Sequence, residues 1–321
     1  MRTVAFIRNL FLGAAGAVMV SFGASSADLE KVRVSIIPIN DVAPLFSAIQ
    51  HGYFREVGLE IDTTPSAGGA AGIPGLIGGS FDIVYGNVVS ALLAAQQGLD
   101  IKVIAPGTKV VNPDLDSTPI IVNNDSGIKT GKDLEGKSIA VNTRNNVIWL
   151  YARAWIKATG GDPDRVTFKE IAFPQIEDAL RQKRVDAAFL VAPFSVIALK
   201  KPGLTAIGKP YSEVQLGVDV GQYLTTGKML TERPETIRKF VAGLRRGVEW
   251  LNANRGSDAL LSIIAGYTKT DVSVLKTIEL PESPLRTDMA QVGKTMDVMI
   301  ENKLLPAPLD LSKIIAPLAL Q

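Results

Sequence analysis

The 321-residue chain contains no cysteine and a single histidine, His51. The first absence excludes disulfides, thiolate nucleophiles and Cys-based zinc sites. It also removes the usual bacterial lipid attachment at a leader cleavage site, so any tether would be a protein contact. The second leaves the serines one histidine between them, which argues against a Ser-His-Asp triad. His51 falls at the end of an expected helix, where the helix dipole favours a cation. No DxDxDG loop and no Walker sequence occurs, so neither a calcium loop nor a nucleotide-phosphate cradle is indicated. No cofactor, no metal and no catalytic residue is therefore expected.

An excess of one charge is missing too. Lysine and arginine number 34 against 32 acidic residues, and without Arg2 and Arg8 the two signs balance at 32. Polyanion binders carry a basic excess or clustered basic runs. Here Arg181 to Arg184 and Arg245-Arg246 come nearest, both in helical patterns where a solvated face explains them, so nucleic acid is not an expected partner. A bilayer-spanning helix needs about 20 consecutive apolar residues. After Asp28 every apolar run is broken sooner by charge, Gly or Pro.

What the amino terminus does have is the layout of an export signal. Arg2 and Arg8 give a positive start, residues 10–22 form a short apolar stretch, and Ser25-Ser26-Ala27 supplies small residues for cleavage before Asp28. Residues 1–27 are expected to be a cleavable leader and the remainder to reside in the periplasm. With 46% apolar residues, such a chain can hold itself together by core alone, as roughly two domains of ordinary size.

Strand and helix patterns alternate from residue 31. Alternating Val32, Val34 and Ile36 predict a strand over 31–37, closed by Pro38. A helix over 42–51 follows, with Asp41 as its cap, Pro44 in its first turn and Gly52 at its end. Strands at 59–63, 81–85 and 101–105 enclose a helical stretch after Ser66 and a helix from Asn87 to Gln97. This βαβαβαβ order points to a mostly parallel sheet covered by helices. After a Pro- and Asp-rich loop at 112–119 the pattern restarts, with strands at 119–123, 138–142, 166–171 and 187–191 and helices at 145–159 and 175–184. A strand at 218–225 then precedes helices at 234–254, 257–265 and 288–302. The expected fold is an α/β clamshell of two lobes joined by two hinge crossings. Residues 28–110 begin the first lobe, 111–220 form the second, and 221–321 return to the first.

Ligands of open α/β sheets bind beyond the carboxyl ends of the strands. That rule names five cleft loops, 37–44, 65–70, 85–88, 143–147 and 191–195. The candidate binding residues within them are Asn40 and Asp41; Ser66, Gly68 and Gly69; Gly86 and Asn87; Thr143, Arg144, Asn145 and Asn146; Pro193 and Phe194. Tyr223, with Tyr85 and Trp149, is a candidate to flank an apolar ligand body, and Trp149 also fits a core position. Four of the loops enter helices, whose free amides and positive ends suit an oxyanion. Asp41, Asn87 and Asn145 also read individually as plain helix caps.

Four motifs carry a resemblance to a known family: His51-Gly-Tyr-Phe-Arg-Glu-Val-Gly-Leu59, Leu76-Ile-Gly-Gly-Ser-Phe-Asp-Ile83, Lys132-Asp-Leu-Glu-Gly-Lys-Ser-Ile-Ala-Val141 and Arg184-Val-Asp-Ala-Ala188. In this order the chain resembles the solute-binding proteins of nitrate, sulfonate and taurine ABC importers, the NMT1-like or SsuA/TauA-like group. The resemblance implies a type II periplasmic-binding-protein fold that closes on a small ligand and passes it to an inner-membrane permease, acting as a monomer. Pro74 departs from the family's uninterrupted helix and predicts a late start or a kink there. Arg144 is the one cation within the five loops, and a guanidinium beside free amides suits a carboxylate or sulfonate. Asp41 pulls the other way, toward an amine or heterocycle donor. A small organic anion is the expected ligand, and a TRAP-type or receptor-coupled binder or an exported enzyme of the same fold are the alternatives.

Overall fold

The computed structural model describes residues 28–280 and 283–321, so the expected leader lies outside the described residues. Twelve strands appear among them. They are β1 (Glu30–Ile36), β2 (Leu59–Pro65), β3 (Ile83–Asn87), β4 (Ile101–Pro106), β5 (Lys109–Val110), β6 (Ile120–Asn123), β7 (Ser138–Val141), β8 (Thr167–Glu170), β9 (Ala187–Phe189), β10 (Leu204–Gly208), β11 (Val218–Asp219) and β12 (Gly221–Thr226).

The first sheet has the order β2-β1-β3-β12-β4. β1 pairs in parallel with β2 and β3, while β12 runs antiparallel to both its neighbours. Four of its strands therefore point one way. The second sheet, β10-β6-β9-β7-β8, repeats this plan with β6 as the reversed strand. Both sheets are mostly parallel, as the alternating pattern implies, and helix cover on the faces explains why β3 and β7 are buried along their whole length. The chain leaves the first sheet after β4 and returns to it at β12. Beside these two crossings, β5 and β11 form a short antiparallel ribbon, and the strand expected over 218–225 is split between β11 and β12.

Helices α1 (Ala43–Gln50), α2 (Tyr53–Glu56), α3 (Gly69–Ile77) and α4 (Val88–Gln96) belong to the first run. They are followed by α5 (Val147–Ala158), α6 (Phe173–Arg181), α7 (Phe194–Lys200) and α8 (Pro210–Val214). The last run comprises α9 (Gly227–Glu232), α10 (Pro234–Ala253), α11 (Asp258–Thr268), α12 (Val272–Leu275) and α13 (Met289–Glu301). Two glycines let α10 lie close against α1 and α2. A Cβ on Gly247 would stand 2.2 Å from the Pro44 carbonyl oxygen, and one on Gly243 would stand 2.6 Å from the Phe54 ring. The chain end closes the edge of the first sheet: Val103 N donates to Ile314 O at 2.8 Å and Ala316 N to Val103 O at 2.9 Å.

Local expectations are corrected at three places. α3 starts at Gly69, directly after the Ser66 loop, and continues through Pro74, so there is no late start. Asp41 does not cap α1; the N-cap position is Val42 and Asp41 lies in a preceding 3-10 turn, Asn40–Val42. α5 is capped by Asn146, whose side chain accepts from Trp149 N at 2.9 Å, and not by Asn145, which sits at φ 55°. Asn87 is a cap as expected, accepting from Ser90 N at 2.9 Å. β10 was not legible in the sequence.

Candidate ligand-binding cleft

The co-oriented strands of both sheets end on one shared cavity, where ligands of such sheets bind. From the first sheet come Asp41 after β1, Asn87 at the end of β3 and Thr108 after β4. From the second come Asn146 after β7, Val191 after β9 and Tyr211 after β10. Ile37, Ile39, Phe173 and Val220 supply apolar wall. The space is narrow, about 70 Å³ counted over the positions a water-sized sphere can take. At roughly 10–15 Å³ for each water position, that is a gap for a few waters or a short solute.

Two side-chain hydrogen bonds bridge the gap beside the cavity, while a separate set joins the halves through α13, with Gln215 Nε2 donating to Gln291 O at 3.1 Å and the Tyr151 hydroxyl 3.1 Å from Thr295 Oγ1. Asn142 Nδ2 donates to Ala67 O at 2.9 Å, and Ser90 Oγ donates to Asn145 O at 3.0 Å. The Asn142 amide is held in place by its own neighbour, since Asn146 Nδ2 donates to Asn142 Oδ1 and to Thr143 Oγ1, both at 2.9 Å. Gly68 makes this approach possible, because a Cβ there would lie 2.7 Å from Asn142 Nδ2 and 2.9 Å from Thr143 Oγ1. Within the first half, Gly69 lets α3 start close against the Gly86 backbone, since a Cβ there would lie 2.6 Å from Gly86 Cα.

Three charged residues face the cavity, and two of them are already engaged. Lys109 Nζ is paired with Asp288 at 2.6 Å. Asp116 accepts from Thr118 N at 3.1 Å and Ser212 N at 3.0 Å. Asp41 accepts from Thr108 Oγ1 at 2.6 Å and weakly from the Tyr85 hydroxyl at 3.4 Å, with no cation beside it among the described residues. Burial pushes the Asp41 carboxyl above the ordinary carboxylate range, against the pull of these two hydroxyls. The Tyr211 hydroxyl is pushed well above the usual phenol range by burial and by the nearby Asp41 charge, so it stays protonated. That hydroxyl has no hydrogen-bond partner among the described residues.

Of the residues named from sequence, Asp41, Tyr85, Gly86, Asn87 and Asn146 line this cavity. Ser66 and Phe194 line a neighbouring apolar recess with Pro38 and Phe173. Gly68 and Thr143 lie in the contact between the two halves, and Gly69 packs within the first against Gly86 and Asn87. Asn40 is buried outside the lining, and Pro193 follows a cis peptide bond at the start of α7. Tyr223 is not a flank of the cavity; it is 1% exposed and packs edge-on against Tyr85 with ring centroids 5.1 Å apart. Arg144 departs furthest from expectation. It is exposed, donates through Nη2 to Phe168 O at 2.8 Å and faces Glu170 at 3.7 Å. Trp149 packs against Phe168 and beneath the Arg153 guanidinium. Thr108 and Tyr211 were missed. The strand-end rule reaches Thr108 once the loop after β4 is counted as a cleft loop, whereas Tyr211 depends on recognising β10.

Comparison with known proteins fits this geometry. Residues 39–255 match the family model described as NMT1/THI5 like. A putative ABC transporter periplasmic binding protein of Brachyspira hyodysenteriae is 25% identical over 89% of this chain and 84% of its own length. A putative aliphatic sulfonates-binding protein of Bacillus subtilis is 24% identical over 89% of this chain and 86% of its own. Among solved structures, the alkanesulfonate-binding protein of Xanthomonas axonopodis pv. citri, bound to MOPS, superposes with a TM-score of 0.74 at 20% identity, covering 90% of this chain and 100% of that one.

Proposed function

The chain belongs to the NMT1/THI5-like family, and from that premise we propose that it is the periplasmic solute-binding component of an ABC importer, capturing a small organic anion between its two lobes. The observation that carries this reading is the cavity itself, which collects the carboxyl ends of strands from two separate sheets and is crossed by few polar contacts. Opening that leaves the α13 contacts of Tyr151 and Gln215 in place breaks only the two side-chain hydrogen bonds beside the cavity, each worth about 0.5–1.5 kcal/mol net, and a solute bridging both sides would replace them.

The anionic head belongs at the N-termini of α4 and α5, whose first amides have no partner within their helices and whose dipoles favour negative charge. Asn87 and Asn146 sit at these two ends. The names of the relatives, one for aliphatic sulfonates and one bound to MOPS, support a sulfonate or carboxylate head, and Arg144 has no part in holding it. In this reading residues 1–27 direct export, residues 28–110 and 221–321 form one lobe and 111–220 the other, and the protein hands its solute as a monomer to an inner-membrane permease. It binds its solute without transforming it.

Calorimetric titration with propane-1-sulfonate tests the reading. The wild-type protein should bind it, and Thr118→Trp, which places an indole in the cavity, should bind at least about tenfold more weakly, a loss of about 1.4 kcal/mol. Equal affinity in the two proteins would place the solute elsewhere and overturn the reading.

A further inference from the structure

Two hydrogen bonds beside the cavity are thin support for a closed form, and a further contact between the halves is apolar. Leu260, Leu261 and Ile264 of α11, Leu275 of α12 and Ile278 belong to a small buried core of their own. Among the described residues, the second half contributes Ala192 and Val196 to it: Ala192 is 5% exposed within this core, and Val196 packs against it. The backbones meet here as well, with Asn40 N donating to Ala192 O at 3.5 Å. Opposite charges face each other across the same contact. The Asp271 carboxyl, at the cap of α12, is held below the ordinary range mainly by Ser273, and Lys200 at the end of α7 adds to that from the other half. The chain crosses between the sheets from β4 to β6 and from β10 to β12. Ala192 follows β9 and Asn40 follows β1. Neither is a crossing strand, so opening about the crossings parts this contact.

We propose that α11 and α12 are an apolar latch: they hold Ala192 and Val196 of the second half and keep the protein predominantly closed before any solute arrives. Apolar surface withdrawn from water favours the contact whether or not a solute is bound. The latch lies in the helical return of the chain and not in the cavity wall; of its members named above, none lines the cavity. Solute therefore enters through a minority open form, and the latch limits the rate of capture without choosing what is captured. It holds for any solute, and its test needs none.

The chain has no cysteine, so Glu60→Cys on β2 and Lys169→Cys on β8 give two unique spin-label sites, both exposed and on the edge strands farthest from the crossings. Pulsed electron resonance on the mature chain, dialysed until native mass spectrometry detects no bound small molecule, reads the distance between them. The otherwise wild-type protein should give one dominant short distance. Val196→Asp sets a charge against the apolar core and should raise the ratio of long to short distances at least about tenfold. Leu275→Ala, from the other side of the contact, should move the ratio the same way. Leu199→Asp, on the same helix as Val196 but exposed and outside the core, should leave it unchanged. An unchanged distribution in both latch variants, an equal shift in Leu199→Asp, or a wild-type protein already mainly open would overturn the latch.

Discussion

Replacing Asp219 by asparagine should stabilise the protein above neutral pH and leave its stability in mild acid unchanged. Asp219 lies in β11 beside the crossing between the two sheets, fully buried. One carboxylate oxygen accepts from Asp288 N at 3.0 Å and the other has no hydrogen-bond partner among the described residues. The nearest cation, Lys109, is already bound to Asp288. Burial consequently raises the Asp219 carboxyl from 3.8 to about 7. Each unit corresponds to about 1.4 kcal/mol, so the displacement amounts to about 4 kcal/mol of stability. The folded state holds its proton more tightly than the unfolded chain does. Stability therefore falls as pH rises from about 4 through about 7 and levels off above that. Asparagine keeps the acceptor for Asp288 N and cannot ionise. Urea denaturation of both proteins at about pH 8.5 should show a gain for Asp219→Asn approaching about 4 kcal/mol, shrinking to within about 0.5 kcal/mol near pH 4. Every other titrating group is shared, so the pH dependence of the difference belongs to this carboxyl. A difference of equal size at both pH values would mean that the Asp219 carboxyl does not change its proton affinity on folding.

Three further outcomes follow from the packing and the cleft. Gly247→Ala gains about 1 kcal/mol of helix propensity but drives its Cβ to 2.2 Å from the Pro44 carbonyl, so the net change should be a loss of about 2 kcal/mol in urea denaturation. Arg144→Ala should leave affinity for propane-1-sulfonate within about twofold and stability within about 0.5 kcal/mol, because among the described residues this exposed guanidinium meets only Phe168 O and Glu170. Gly68→Val collides with Asn142 and Thr143 across the gap; it should enlarge the radius of gyration in small-angle scattering and weaken the solute roughly tenfold, and an unchanged scattering curve would remove this contact from the closed form.

Much of the scaffold is legible from periodicity alone. Val32 and Val34 alternate with charged neighbours and are both fully buried, and β3, β4 and β7 fall where apolar runs end at turn residues. Periodicity reports which side chains are buried and not which strand lies beside them. Nothing local distinguishes β12, inserted antiparallel between β3 and β4, from a strand at a sheet edge. β11 and β12 are likewise visible only as a single run at 218–225. At the site, the strand-end rule brings Asp41, Asn87 and Asn146 to the right place, but side-chain direction depends on backbone angles that a sequence does not display. Asn145 and Asn146 are indistinguishable as letters; only the extended conformation of the second allows it to cap α5. Asp41 precedes a helix like any capping aspartate, yet a 3-10 turn swings it toward Thr108. Arg144 sits in a cleft loop by number and on the outer surface by direction.

The proposed function requires a small solute in the cavity between the two sheets. The most direct measurement is native mass spectrometry of the protein released gently from the periplasm, compared with Thr118→Trp prepared alongside. One small organic molecule per chain is expected on the wild-type protein and none on the variant. The same molecule retained on both proteins, or a wild-type protein that carries none and takes up none from a periplasmic extract, would contradict it.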